Sequence, residues 1–211
     1  MKRSHPLLIP ALATLICLMA AAPAAAGEPG TADNYKRSYA LEAKGKYGDA
    51  LAALIPMAGS QRRSYFFQMR VGWLRYLAGK YDASVTAYKK AAGLKPAAVE
   101  THLGMTMPLM AARKWNDAAV AAKKVLRLAP GNHLATTRLA WIQYNLGRFA
   151  EAERTYRDVL TRYPSDLEMQ AGLGWALLKQ GRKTEAANLF QAILALSPEY
   201  ATAKTGLAAA R

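Results

Sequence analysis

Pro96, Pro130, Pro164 and Pro198 stand 34 residues apart, and that spacing constrains the fold more than any other feature of the chain. A fixed period of this length marks a repeat array, in which each unit buries its apolar face against the next. The same shift aligns "GKYGDAL" (45–51), "GKYDASV" (79–85), "RKWNDAA" (113–119), "GRFAEAE" (147–153) and "GRKTEAA" (181–187). Five units follow: 31–64, 65–98, 99–132, 133–166 and 167–200.

Each unit reads as two helices. The first runs in apolar, helix-periodic sequence to a Gly at unit position 15, which suits a helix end and a tight turn. The second begins near "DAA" or "EAE", with acids that complement a helix N-terminus. It stops short of the Pro, which cannot continue a helix interior. The chain is 52% hydrophobic and rich in Ala, a composition that favours helix over strand. No stretch alternates at period two, so no sheet is expected.

These features resemble the tetratricopeptide repeat family. The resemblance rests on the period, the small residue at position 20 (Ala50, Ser84, Ala118, Ala152, Ala186), the aromatic at position 24 (Tyr88, Tyr156, Phe190) and the Pro at position 32 in four units. Position 7 carries Val71, Met105, Leu139 and Leu173, and position 8 carries Gly72, Thr106, Ala140 and Gly174. The resemblance covers 31–211 and implies an all-α, right-handed superhelical α-solenoid of about five helix-turn-helix repeats. A C-terminal capping helix, 201–211, places Leu207 and Ala208 at positions 7 and 8 of a sixth unit that then stops. The family is defined by its packing, so the resemblance speaks to fold more than to function.

Two units depart from the pattern. In the first, within an N-terminal linker and degenerate repeat over 27–64, Arg37 and Ser38 fill positions 7 and 8, and Pro56 interrupts the second helix. It reads either as a cap with a short or broken second helix or as a degenerate repeat that packs poorly. In the third, Pro108 falls inside the first helix, where a kink is expected. Arg113 replaces the turn Gly, Ala122 replaces the aromatic, and Met105, Met107 and Met110 crowd one helix. Those methionines either fill space around an irregular helix or form an adaptable surface for a ligand segment.

In this family the first helices line the concave face, so the resemblance implies which residues a partner would meet. Position 9 carries Tyr39, Trp73, Met107, Trp141 and Trp175; position 12 carries Glu42, Tyr76, Met110, Tyr144 and Leu178; Met69 stands at position 5. A groove built from these is apolar and aromatic, suited to a protein or peptide segment. The alternative is that the position-9 Trp residues only seal neighbouring repeats.

The N-terminus reads as a processing segment. "MKR" is a basic start, "LLIPALATLICLMAAAP" is apolar, and "AAA" (24–26) offers small residues before Gly27. A secretory signal peptide over 1–26 is expected, and with it a periplasmic or secreted protein. A retained anchor helix is the alternative. Cys17 is the only Cys, so cleavage would leave no disulfide and no thiol nucleophile. Cleavage also removes Lys2 and Arg3 and no acid, which takes the formal charge from +15 to +13.

The positive charge gathers on the second helices, at Lys89, Lys90, Lys123, Lys124, Arg127, Arg154, Arg157 and Arg162. This is either a solvated face or a basic surface for acidic polysaccharide, an anionic membrane or an acidic partner. No nucleic-acid motif is present, which disfavours that partner class. His102 and His133 sit in no metal-type pair, and no phosphate loop or nucleophile elbow is visible. No enzyme activity, cofactor or metal is expected. The reading is a protein-interaction scaffold or adaptor of the cell envelope, with anionic-polymer or membrane binding through the basic face as the second reading.

Overall fold

In a computed structural model, residues 30–211 are described; the segment read as a signal peptide lies outside them. The 34-residue period appears as helix pairs. The first helices are α1 (Thr31–Glu42), α3 (Tyr65–Leu77), α5 (Val99–Ala111), α7 (His133–Asn145) and α9 (Leu167–Lys179). Their partners are α2 (Tyr47–Ala52), α4 (Tyr81–Leu94), α6 (Trp115–Leu128), α8 (Phe149–Arg162) and α10 (Lys183–Leu196), and α11 (Ala201–Ala210) closes the array. Each helix packs on the next in chain order, and the first helices of neighbouring units also touch. The result is an α-solenoid with no strand among the described residues. No helix of the described residues is long and apolar enough to cross a membrane.

The turn within each unit explains its Gly. Position 15 adopts a left-handed backbone in all five units, with φ of 70° at Gly45, 72° at Gly79, 74° at Gly147 and 80° at Gly181. Arg113 holds the same turn at φ 56°, where a side chain is disfavoured. The following helix begins two residues later, and its acid sits in the first turn at Asp49, Asp82, Asp117, Glu151 or Glu185. Position 20 is fully buried in every unit (Ala50, Ser84, Ala118, Ala152, Ala186), which is why it must be small.

Rings inserted between units join the repeats. Tyr88 packs against Gly72 of its own unit and Gly104 of the next; Tyr156 packs against Gly172; Phe190 packs against Gly174 and Gly206. Burial pushes the Tyr88 phenol up to about 12. Where the aromatic is missing, the next unit changes too. Leu54 and Ala122 take position 24 in units one and three, and position 6 of the following unit is then Arg70 or Arg138 instead of Gly.

The two irregular units are packed. α2 spans six residues and is followed by 3-10 turns at Ile55–Met57 and Ser60–Arg63, with Pro56 in the first. Leu54 and Met57 are nonetheless buried beside Phe67, Val71 and Leu74 of α3. α5 continues through Pro108 to Ala111, with the Pro ring buried. Gly104 lies four residues earlier, the position whose carbonyl the Pro ring crowds.

Candidate functional site

Two clefts of about 790 Å³ each open along the row of first helices. The first lies mainly between α1 and α3. Tyr39, Met69 and Trp73 line it, together with Glu42, Phe66 and Arg70. The second is built on α7, α9 and α11 and reaches back to α5. Met110, Trp141, Tyr144 and Trp175 line it, together with the polar side chains of Arg138, Asp166, Glu168 and Tyr200. Tyr76 and Met107 line neither. Tyr76 stands instead between Trp73 and Tyr81, its ring centroid 5.8 Å and 6.1 Å from theirs.

The position-9 Trp residues fall into two groups. Trp73 reaches back to the previous unit, where its indole N–H donates to a Glu42 carboxylate oxygen at 2.5 Å. Trp175 meets the buried Phe190 ring edge to face at 5.8 Å. Both therefore carry packing duties. Trp141 stacks on Tyr144 at 5.8 Å and 9° but stays 47% exposed, and its indole N–H makes no hydrogen bond among the described residues. Its ring is thus held flat on a neighbour while much of its surface stays open to solvent.

Two arginines in the clefts, Arg70 and Arg138, were missed by sequence reading. Arg70 is buried, with 5% of its surface exposed. It donates through Nη1 to Glu42 and through Nη2 to the Ser38 hydroxyl at 3.0 Å. Its guanidinium also lies 3.8 Å from the centre of the Tyr39 ring. Arg138 donates through Nη1 to the Leu103 carbonyl at 2.8 Å and the Thr106 hydroxyl at 2.7 Å. Burial holds its guanidinium below the usual arginine range. The signal that could have found both is the alternation of Arg and Gly at position 6.

The basic residues of the second helices are mostly exposed: Lys89, Lys90, Lys123, Arg127, Arg154 and Arg157, with Lys124 half-buried. Acids interrupt the run on α8. Arg157 pairs with Glu153 and Arg162 with Asp158, both at 2.9 Å and one helical turn apart. Each of these i,i+4 pairs of opposite charge supports α8 modestly. No three groups of metal-ligating type cluster among the described residues.

A tetratricopeptide repeat family model matches residues 35–99, 109–166, 137–201 and 171–210. The chain belongs to the tetratricopeptide repeat family. Among solved structures it is similar to MamA (41-end) from Desulfovibrio magneticus RS-1, with a TM-score of 0.74 at 16% identity over 81% of this chain and 96% of that one. It is also similar to YrrB, described as a TPR protein with an unusual peptide-binding site, with a TM-score of 0.70 at 13% identity over 82% and 89% of the two chains. At such identities the likeness is one of fold. The Arabidopsis thaliana protein CTR9 homolog is 30% identical over 129 residues, which are 61% of this chain and 12% of that protein.

Proposed function

We propose that this tetratricopeptide repeat protein is a non-enzymatic scaffold of the cell envelope that binds a segment of a partner protein in the cleft built on α7, α9 and α11. The observation that carries the reading is Trp141, stacked on Tyr144, 47% exposed, and lining a cleft together with Met110 and Trp175. Aromatic anchors of this kind contribute most where they fill a partner's apolar contacts. The known peptide-binding site of a similarly folded protein, YrrB, supports the use of this architecture for such a ligand. The envelope location rests on the apolar, basic-led sequence of residues 1–26.

Photo-crosslinking in cells tests both parts. A photoreactive residue at position 141 is expected to give a discrete adduct in the envelope fraction. The same residue at position 123, on the outer face, is expected to give none. Trp141→Ala combined with Tyr144→Ala should remove the partner without altering the helical content. Adducts from position 123 alone would reject the cleft.

Lys89 with Lys90 and Lys123 with Lys124 occupy the same positions one repeat apart, and none of them forms an ion pair among the described residues. This favours, as a second reading, a basic outer surface on α4 and α6 for an anionic polymer or membrane. Retention on such a ligand would weaken steeply with salt and vanish with Lys123→Glu and Lys124→Glu.

A further inference from the structure

The joint between units one and two supplies a template for the joint between units three and four. In the first, Arg70 (position 6) and Trp73 (position 9) of α3 face the last turn of α1. They hold both carboxylate oxygens of Glu42 (position 12), the arginine on Oε2 and the indole N–H on Oε1. Ser38, at position 8, steadies the guanidinium. The residues in the same register two units later are Arg138, Trp141 and Thr106. Thr106 accepts from Arg138 as Ser38 does from Arg70.

One member of the set differs. Position 12 on the first helix of the preceding unit is Glu42 in the first joint and Met110 in the second. Met110, Arg138 and Trp141 all line the same cleft. Arg138 forms no ion pair among the described residues, although Asp166 and Glu168 line that cleft too. Its hydrogen bonds all leave from Nη1, which leaves the rest of the fork and the Trp141 indole N–H for an incoming acceptor. A partly desolvated guanidinium without a counter-charge strongly favours a carboxylate, and its planar fork can bind one through two donors. Its lowered affinity for the proton, caused by burial, is consistent with that lack of compensation.

We propose that Arg138 and the Trp141 indole receive the carboxylate of an Asp or Glu side chain carried by the partner segment, in the way that Arg70 and Trp73 receive Glu42. The inference rests on the reading of this cleft as a partner-binding groove and adds the chemistry of its ligand. A side chain, not a chain end, is the occupant. The template carboxylate arrives on a side chain, and the cleft continues beyond this point to Trp175 and to Tyr200 and Thr202, leaving room for the segment to run on. The ligand is thus an apolar or aromatic segment with an acidic residue set against α7.

The probe is a short peptide of alternating Glu and Leu, blocked at both ends and labelled with an uncharged dye, compared with its Gln-for-Glu analogue by fluorescence anisotropy. Wild-type protein is expected to prefer the Glu peptide about tenfold, the scale of one charge-assisted hydrogen-bond set. Arg138→Gln should abolish the preference while Lys123→Glu with Lys124→Glu retains most of it. Met110→Glu should place an internal carboxylate where Glu42 stands in the first joint, and so remove the preference without lowering the melting temperature. Met110→Gln should keep it, which separates charge from shape and does not depend on Arg138→Gln folding well. Equal, Trp141-dependent binding of both peptides would leave the groove intact and overturn the carboxylate assignment. A preference lost only with the lysines would assign it to the outer face and overturn the proposal. Arg138-dependent binding of a Gln peptide left unblocked at its C-terminus, with no preference for the blocked Glu peptide, would assign the site to a chain end and overturn the side-chain form. Failure of every probe to bind would overturn the groove and the inference together.

Discussion

Gly172→Ala tests the ring-on-glycine joints that set the spacing of the solenoid. Gly172 lies inside α9, away from any turn. By backbone preference alone, Ala there should stabilise the protein by about 1 kcal/mol, because Gly is the more flexible residue in the unfolded chain. The structure opposes this. A Cβ at position 172 would sit 2.5 Å from two carbons of the Tyr156 ring and 2.9 Å from its hydroxyl oxygen. Carbon atoms in contact prefer about 3.5–4.0 Å, so the ring must retreat by about 1 Å. Tyr156 has only 2% of its surface exposed and packs within the core of units four and five, so nothing yields cheaply. Overpacking of this kind costs about 1–3 kcal/mol. Taken at its upper half, it leaves a net loss of about 1–2 kcal/mol after the helix gain. In a chain of this size that lowers the melting midpoint by about 2–8 °C. Urea and thermal denaturation followed by circular dichroism would read it. The second arm of the experiment is the same substitution in a Tyr156→Leu background. With the ring gone, Gly172→Ala should become neutral or stabilising, a coupling that the double-mutant cycle isolates. If Gly172→Ala alone raises the midpoint, or if the two changes are additive, the ring does not set the joint and the reasoning fails.

Three further outcomes are expected. Arg113→Gly should stabilise the protein by about 1 kcal/mol, since Arg113 holds a left-handed backbone (φ 56°) where the other units use Gly; a lower melting midpoint would count against it. Removing residues 201–211 should uncover Phe190, against whose ring Gly206 of α11 packs, and should lower the melting midpoint or cause aggregation; unchanged solubility and melting would contradict the cap. Burial pushes the Glu153 carboxyl up, but hydrogen bonds from Gln180, Arg157 and Arg182 outweigh it and hold the group below its ordinary value of 4.5. A depressed carboxyl pKa contributes stability that is complete above the unfolded value and is lost as pH falls below about 4.5. Glu153→Gln should therefore flatten the acid limb of a stability-versus-pH curve, and an unchanged limb would remove Glu153 as a contributor.

How legible this protein is in one dimension can be judged from particular positions. The 34-residue period, the buried small residue at position 20 and the Gly turn are local or strictly repeating demands, so they show in the chain without coordinates. Tyr39, Met69 and Trp73 line one cleft and Met110, Trp141, Tyr144 and Trp175 line the other. Tyr76 and Met107 stand in the same columns and line neither. Column membership sets the face of a helix, but the side chain's direction is chosen by what the next unit offers.

The three Trp residues of position 9 make the distinction plain. Sequence alone determined that they recur on one face of successive first helices, because a helical period and a fixed repeat length leave no other arrangement. Only the tertiary structure decided that Trp73 is tied to Glu42, that Trp175 leans on Phe190, and that Trp141 remains open. The physical reason is that each contact joins residues about one helix or one repeat apart, where reach and rotamer are settled by packing rather than by pattern. The same holds for the arginines at position 6. Arg70 meets an acid and Arg138 does not, because the residue across the joint is Glu42 in one case and Met110 in the other.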